Sequence, residues 1–319
     1  MNAKSLTQVN AFSALPAEQR ARLLAIGPCW NDDIINHRAE VVAAYTPVVA
    51  RAPKAPVVLR NIAYGPSARQ VLDVFSCETA TESFTSGPGR PVVVFVHGGA
   101  FTRGTKSANG EIYDNVLHWF TGRGYVGVNI EYRLAPESKW PQGGQDVLDA
   151  LHWVERHIGE CSGDARRVHV IGHSAGGSHV ATAALEPALG GLPGGVCSLA
   201  LISGRLRADT LPDNPNAGNV RAYFGDDMQL YAPRSPVSRA AECPLPVLVA
   251  VAEFENRHLD TYGMEFFHAV KTAGQVPTEW VGLAGHNHTS IVAHLNSGED
   301  AFGLILDNFF RIHEIISLS

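Results

Sequence analysis

Residues 92–96, "VVVFV", are apolar without interruption. Similar runs return in "GYVGVNIEYR", "RRVHVIGHS", "VCSLALISG" and "LPVLVAVAE". A strand that is apolar at every position is buried on both faces, as happens when helices cover a parallel sheet. Between these runs lie stretches with apolar residues at helical spacing: "GEIYDNVLHWFTGRG", "GGQDVLDALHWVERHI", "SHVATAALEPAL" and "RHLDTYGMEFFHAVKTAG". "TEWVGLAG" reads as a last strand, and "EDAFGLILDNFFRIHEII" as a closing helix. Ahead of them, "VVLRNIAYG" and "RQVLDVF" flank "GPSA" and read as an antiparallel pair. The pattern predicts an α/β fold with a mostly parallel central sheet of about eight strands and helices on both faces.

Two regions depart from this alternation. Residues 1–55 read as helical, in "LPAEQRARLLAI" and "NDDIINHRAEVVAAYTPVVA", with Asn31 or Asp32 as the cap of the second helix. Pro53 and Pro56 then break the pattern. Residues 205–241 are rich in Pro, Asn and Asp and exceed an ordinary connection, which marks a lid, a binding loop or a solvated excursion.

Composition narrows the classes. The chain has 319 residues, 45% apolar and 18% charged, which suits one large core with a small accessory element. A net charge of −6 gives no footprint for nucleic acid or an acidic membrane surface. No run approaches ~18 consecutive apolar residues, so no spanning helix is expected. The start "MNAKSLTQVNAFSALPAEQR" has no charged-then-apolar signal pattern. Five cysteines at positions 29, 77, 161, 197 and 243 lack metal-ligand spacing. They read as small buried residues in a reduced, cytoplasmic compartment.

Candidate chemistry begins at "GHSAGG", residues 172–177, behind the apolar run "VHVI". A strand ending on Gly-His-Ser-Ala-Gly must turn sharply, and the turn would lift Ser174 above the sheet at the mouth of a helix. A capping serine in a plain strand-to-helix turn is the alternative. "HGGAF", residues 97–101, also follows a buried strand. Amides at Gly98 and Gly99, with that of Ala175, could aim at one developing oxyanion. "EFENRHLD" offers three acids past its strand: Glu253, Glu255 and Asp260. Glu255 falls in the loop, Glu253 still in the strand and Asp260 already in the next helix. "GHNHTS" supplies His286 and His288. A His-x-His pair can chelate a metal, but no third ligand is apparent, so neither metal nor cofactor is expected.

"HGGAF", "EYRLAPE" followed by "WP", "GHSAGG" and the late "NHTSI" together resemble the α/β-hydrolase superfamily. Within it they are similar to hormone-sensitive-lipase-like esterases and the kynurenine formamidase-like group. The resemblance covers about residues 57–315. It implies Ser174 as nucleophile, Gly98, Gly99 and Ala175 as oxyanion donors, and an acid after the seventh strand. Position 255 usually carries Asp in the family and is Glu here; the third Gly of the lipase-type motif is Ala100 here. His288 matches the family's terminal histidine better than His286. "SPVS", residues 235–238, resembles the stretch before the acid strand. The implied layout is an N-terminal cap segment over 1–55 and an α/β-hydrolase domain over 56–319, with 205–241 as a further cap element.

The reading that follows is a serine hydrolase of small carboxylic esters acting through an acyl-enzyme, with Ser174, His288 and Glu255 as its triad. An arylformamidase cleaving an N-formyl amide uses the same chemistry. A non-catalytic small-molecule-binding module on this scaffold is the reading of another class, and a complete candidate set argues against it. The expected partner is a small ester or amide. The oligomeric state is open, a homo-oligomer being compatible with the sequence.

Overall fold

The computed structural model describes residues 6–7, 10–77 and 89–317. Residues 1–5, on which the expected non-secretory start partly rests, lie outside the described residues. The strands are β1 (Leu6–Thr7), β2 (Val57–Ala63), β3 (Val71–Ser76), β4 (Arg90–Val96), β5 (Val126–Ile130), β6 (Gly163–His173), β7 (Val196–Ile202), β8 (Val247–Phe254) and β9 (Thr278–Asn287). The helices are α1 (Ala17–Ile26), α2 (Ile34–Arg51), α3 (Asp114–Thr121), α4 (Gln142–His157) and α5 (Ala175–Leu185). They continue with α6 (Ala217–Phe224), α7 (Tyr231–Arg234), α8 (Leu259–Ala273), α9 (Ser290–Ala293) and α10 (Ala301–Ser317).

All nine strands form one sheet in the order β1-β9-β8-β7-β6-β4-β5-β3-β2. Among the described residues only the β2–β3 and β3–β5 pairings are antiparallel. The eight strands expected from the sequence are present, and β1 adds two residues along β9. Two residues carry no readable periodicity, so this strand was not legible.

The sheet divides the core by the period of two. Val92, Val94 and Val96 of β4 pack with α4, α5 and α8 on one face. Val93 and Phe95 point to the other face, among α2, α3, α9 and α10. The N-terminal segment belongs to that second layer: Phe12, Leu23, Trp30, Val41 and Tyr45 are buried in the same core as Ile171 and Leu248. Neither Asn31 nor Asp32 caps α2. Asp33 does, accepting from the Asn36 amide at 3.3 Å. Asp32 sits in a short 3₁₀ turn, and Asn31 has other work at the site.

The 205–241 region folds onto the domain with α6 and α7. Tyr223, Phe224 and Tyr231, scattered in a polar sequence, gather into one small apolar cluster with Val220, Phe101 and Ala175. Among the cysteines only Cys197 and Cys243 are buried; the other three are half-buried. Among the described residues no helix is long and apolar enough to cross a membrane.

Candidate active site

Ser174 stands between the last residue of β6 and the first of α5, at φ 55° and ψ −118°. This left-handed backbone costs a non-glycine residue about 1–2 kcal/mol, so its surroundings must hold it. The Ser174 amide donates to the Ile202 carbonyl at 3.0 Å, and its carbonyl accepts from the Arg205 amide at 3.1 Å. A Cβ on Gly176 would lie 2.1 Å from the Val96 carbonyl oxygen, and one on Gly172 2.6 Å from that of Gly176. Side chains there would force the turn apart, so the glycines follow from close packing of β6, α5 and β4.

His288 lies past β9. Its Nε2 is 3.1 Å from Ser174 Oγ, and its Nδ1 is 2.7 Å from Glu255 Oε2. Its own amide donates to the Phe254 carbonyl at 3.1 Å. The other Glu255 oxygen accepts from the Ala252 amide at 2.9 Å and from the Ser203 hydroxyl. Both carboxylate oxygens are therefore engaged, and the side chain is buried. The structure brings Ser174, His288 and Glu255 into one chain of hydrogen bonds.

The competing candidates lie elsewhere. Glu253 is exposed at the end of β8 and accepts from the Gly285 amide at 2.7 Å. Asp260 is in the first turn of α8 and accepts from the Thr261 amide. His286 is buried, with Nδ1 3.1 Å from Ser290 Oγ and its ring 4.4 Å from that of His294. Burial holds His286 well below the usual imidazole range. His286 and His288 thus have separate partners, and among the described residues no group of three metal-ligating side chains occurs.

Gly98 packs so closely that a Cβ would sit 3.0 Å from both Ser174 Cβ and His173 Nδ1. Its amide faces the Tyr113 hydroxyl, a phenol raised in pKa chiefly by burial. Gly99 follows, its carbonyl accepting from the Arg103 amide at 3.1 Å. Ala175 is the first residue of α5, so its amide has no partner inside the helix. Ala100 and Phe101 have φ of 49° and 71°, so the loop is left-handed where the lipase-type motif carries its third glycine.

Two sets of supporting residues were missed from the sequence. His97 is fully buried, its Nδ1 2.7 Å from the Gly98 carbonyl and its Nε2 3.2 Å from Glu131 Oε1. Burial works to raise the Glu131 carboxyl, but His97, the Lys106 amide and Arg69 bring it below the usual range. Arg69 also reaches the Tyr132 carbonyl at 2.8 Å and the Gly104 carbonyl at 3.0 Å, tying the loop after β4 to the segment after β5. Glu131 lies inside the quoted "EYRLAPE", whereas Arg69 gave no signal beyond the start of the strand "RQVLDVF". The second set is His173, whose Nε2 is 3.0 Å from the His288 carbonyl, and Asn31. Asn31 donates to the Glu255 carbonyl at 2.9 Å, while Trp30 donates to Asn256 at 2.8 Å.

Comparison with known proteins places this arrangement. The structure matches a hyperthermophilic esterase from the archaeon Pyrobaculum calidifontis with a TM-score of 0.69 at 24% identity, covering 93% of this chain and 98% of that one. The chain has the α/β-hydrolase fold. A phosphonate-inhibited Esterase B from Lactobacillus rhamnosis gives 0.67 at 17% identity, covering 94% and 96% of the two chains. Residues 77–191 match the BD-FAE family model. The chain is 34% identical over 126 residues to Esterase LipC of Mycobacterium tuberculosis, 40% of this chain and 29% of LipC. It is 29% identical over 222 residues to Esterase LipI of the same organism, 61% of this chain and 67% of LipI. The chain thus spans less than a third of LipC and two thirds of LipI.

Proposed function

We propose that the chain hydrolyses small carboxylic esters through an acyl-enzyme on Ser174. The observation that carries this reading is the hydrogen-bonded path from Ser174 Oγ through His288 to Glu255. His288 Nε2 takes the hydroxyl proton as Oγ attacks the ester carbonyl. Glu255 holds the Nδ1–H tautomer and stabilises the imidazolium that forms. The amides of Gly99 and Ala175 receive the oxyanion, with that of Gly98 shared with Tyr113. His288 then protonates the leaving alkoxide. Water, deprotonated by the same nitrogen, releases the acid and restores Ser174.

The same groups could attack an N-formyl amide, but the named relatives are esterases, which favours the ester. A binding module would have no need for a completed proton path. Unbridged thiols suit a reducing, cytoplasmic setting.

A fluorophosphonate should label one serine in the native protein and none in Ser174→Ala. That variant should lose p-nitrophenyl acetate turnover by at least ~10⁴-fold. Labelling or turnover that survives the substitution would overturn the reading.

A further inference from the structure

Trp30 and Asn31 dock on the loop carrying Glu255, and α2 begins three residues later. α2 also packs against α9, which follows His288 directly. Its first turns therefore lie over the site, between the acid loop and the base loop. Val41, Tyr45 and Val49 bury one stripe of this helix, and Arg38 continues that stripe one turn ahead of Val41 by the 3.6-residue period. Arg38 is exposed and forms no ion pair with a described carboxylate. Its guanidinium faces the Tyr113 hydroxyl and acts electrostatically on His173. The Tyr113 ring is 5.9 Å from that of His173, and the Tyr113 hydroxyl meets the Gly98 amide beside Ser174. A cation with no carboxylate partner among the described residues thus stands beside a phenol whose hydroxyl meets the Gly98 amide, and Gly98 packs against Ser174.

We propose that Arg38, assisted by Tyr113, selects substrates that carry a carboxylate near the scissile ester. The proposal rests on the ester-hydrolase reading and names its substrate class. A guanidinium offers a planar fork of donors that matches two carboxylate oxygens, and a phenol can donate to one of them. An uncharged ester leaves Arg38 with only the neutral Tyr113 hydroxyl and water as partners. His173, held neutral by burial well below the usual imidazole range, does not compete as a second cation.

The test compares kcat/KM for two pairs of esters. One pair is 4-acetoxybenzoate and its methyl ester, with the carboxylate on the leaving group. The other is phenyl hemisuccinate and phenyl butyrate, with the carboxylate on the acyl part. In at least one pair, Arg38→Gln should lower the anionic-to-neutral ratio by roughly 10- to 100-fold, the range for a hydrogen bond to a charged group. Arg38→Lys should restore part of it, and added salt should lower the ratio in the native protein. An unchanged ratio in both pairs overturns the proposal and leaves Arg38 a surface charge. A binding arm separates this from failure of the ester reading. Calorimetric titration of Ser174→Ala with 4-acetamidobenzoate and its methyl ester should show the same preference, lost when Arg38→Gln is added. If Ser174 proves dispensable for turnover while this preference holds, the hydrolase reading fails and the carboxylate site stands. Equal binding of acid and methyl ester sinks the site whatever the turnover.

Discussion

The two segments that flank the site are attached in different ways. The N-terminal segment enters the main core and reaches the acid loop and the turn before α10 by hydrogen bonds. Asn31 meets the Glu255 carbonyl, and Glu299 receives the Tyr45 hydroxyl at 2.8 Å and the Phe12 amide at 2.8 Å. The 205–241 insert packs by aromatic faces on the loop after β4, Tyr223 stacking on Phe101 at 4.6 Å and 3°, and adds hydrogen bonds from Thr102 to Asn219 at 3.1 Å and from Arg103 to Asn216 at 3.5 Å. Directional bonds fix positions, whereas stacked rings tolerate sliding and define a surface. On the proposed function, the first segment would set the geometry of proton transfer, and the second, through its aromatic face, the shape the substrate meets.

The largest test separates two histidines within the reach of the first segment. His288→Ala should cost at least ~10³-fold in kcat, the order seen on removing a triad base. His286→Ala should retain most of kcat and lower stability instead, because His286 packs 5.4 Å from Phe12 and bonds Ser290. Steady-state kinetics and urea melts on both variants read the two effects apart. The reverse ranking would move the base to His286.

The next test concerns the insert. Its cluster is compact, and two nearby cavities bypass Ser174. One of about 380 Å³ is lined by Arg207, Leu211, Pro212, Met228 and Tyr231 among others, and one of about 330 Å³ lies beside the acid loop. The apolar surface that the insert offers is one small aromatic cluster, so kcat/KM for p-nitrophenyl esters should fall beyond about six acyl carbons. Each methylene that does not fit should cost about 1–3 kcal/mol. Tyr223→Ala should move that break to longer chains. Asn31→Ala should leave the break in place and lower kcat roughly 10-fold at every length, since a misplaced acid misplaces the base. A profile that keeps rising to twelve carbons, or a break that moves with Asn31, would erase the distinction between the segments.

What the sequence made legible follows the same division. The buried strands, the elbow glycines and the loop position of Glu255 were readable because each is forced locally. An apolar run, a steric clash and a strand end all leave their mark within a few residues. Glu255 and His288 could be paired only through the order of motifs along the chain. Contacts between distant segments left no such mark. Asn31 read as a helix cap because Asn caps helices, yet Asp33 holds that position and frees Asn31 for Glu255. Arg69 read only as the first residue of the strand "RQVLDVF" because its partners lie about 35 to 63 positions away. The aromatics of the insert read as scattered because α6 and α7 bring them together only in three dimensions.

The smallest effect expected is a pH dependence of stability that again divides the two segments. Burial lowers His118 and His294 to about 4, and His286 well below the usual range. All three lie on the side of the N-terminal segment. His118 Nδ1 accepts from the Ala55 amide at 2.9 Å, and His286 stacks between Phe12 and His294. On the insert side only His179, beside Tyr223, is lowered in this way, to about 3. Unfolded imidazoles bind protons near pH 6.5, whereas these remain neutral in the fold until about pH 4. The unfolded chain therefore holds more protons in that window, and stability falls as the pH drops through it. The slope is at most about 1.4 kcal/mol per pH unit for each imidazole. Burial raises the carboxyls of Asp114, Asp146 and Glu299, and these oppose the trend as the pH nears the carboxylate range. Urea midpoints should thus decline from pH 7 to pH 5. His118→Gln should flatten the decline, because Gln can still accept from Ala55 and has no proton to take up. Midpoints that stay level across this range would mean that the folded imidazoles titrate normally, and that the N-terminal segment is less firmly seated than its hydrogen bonds imply.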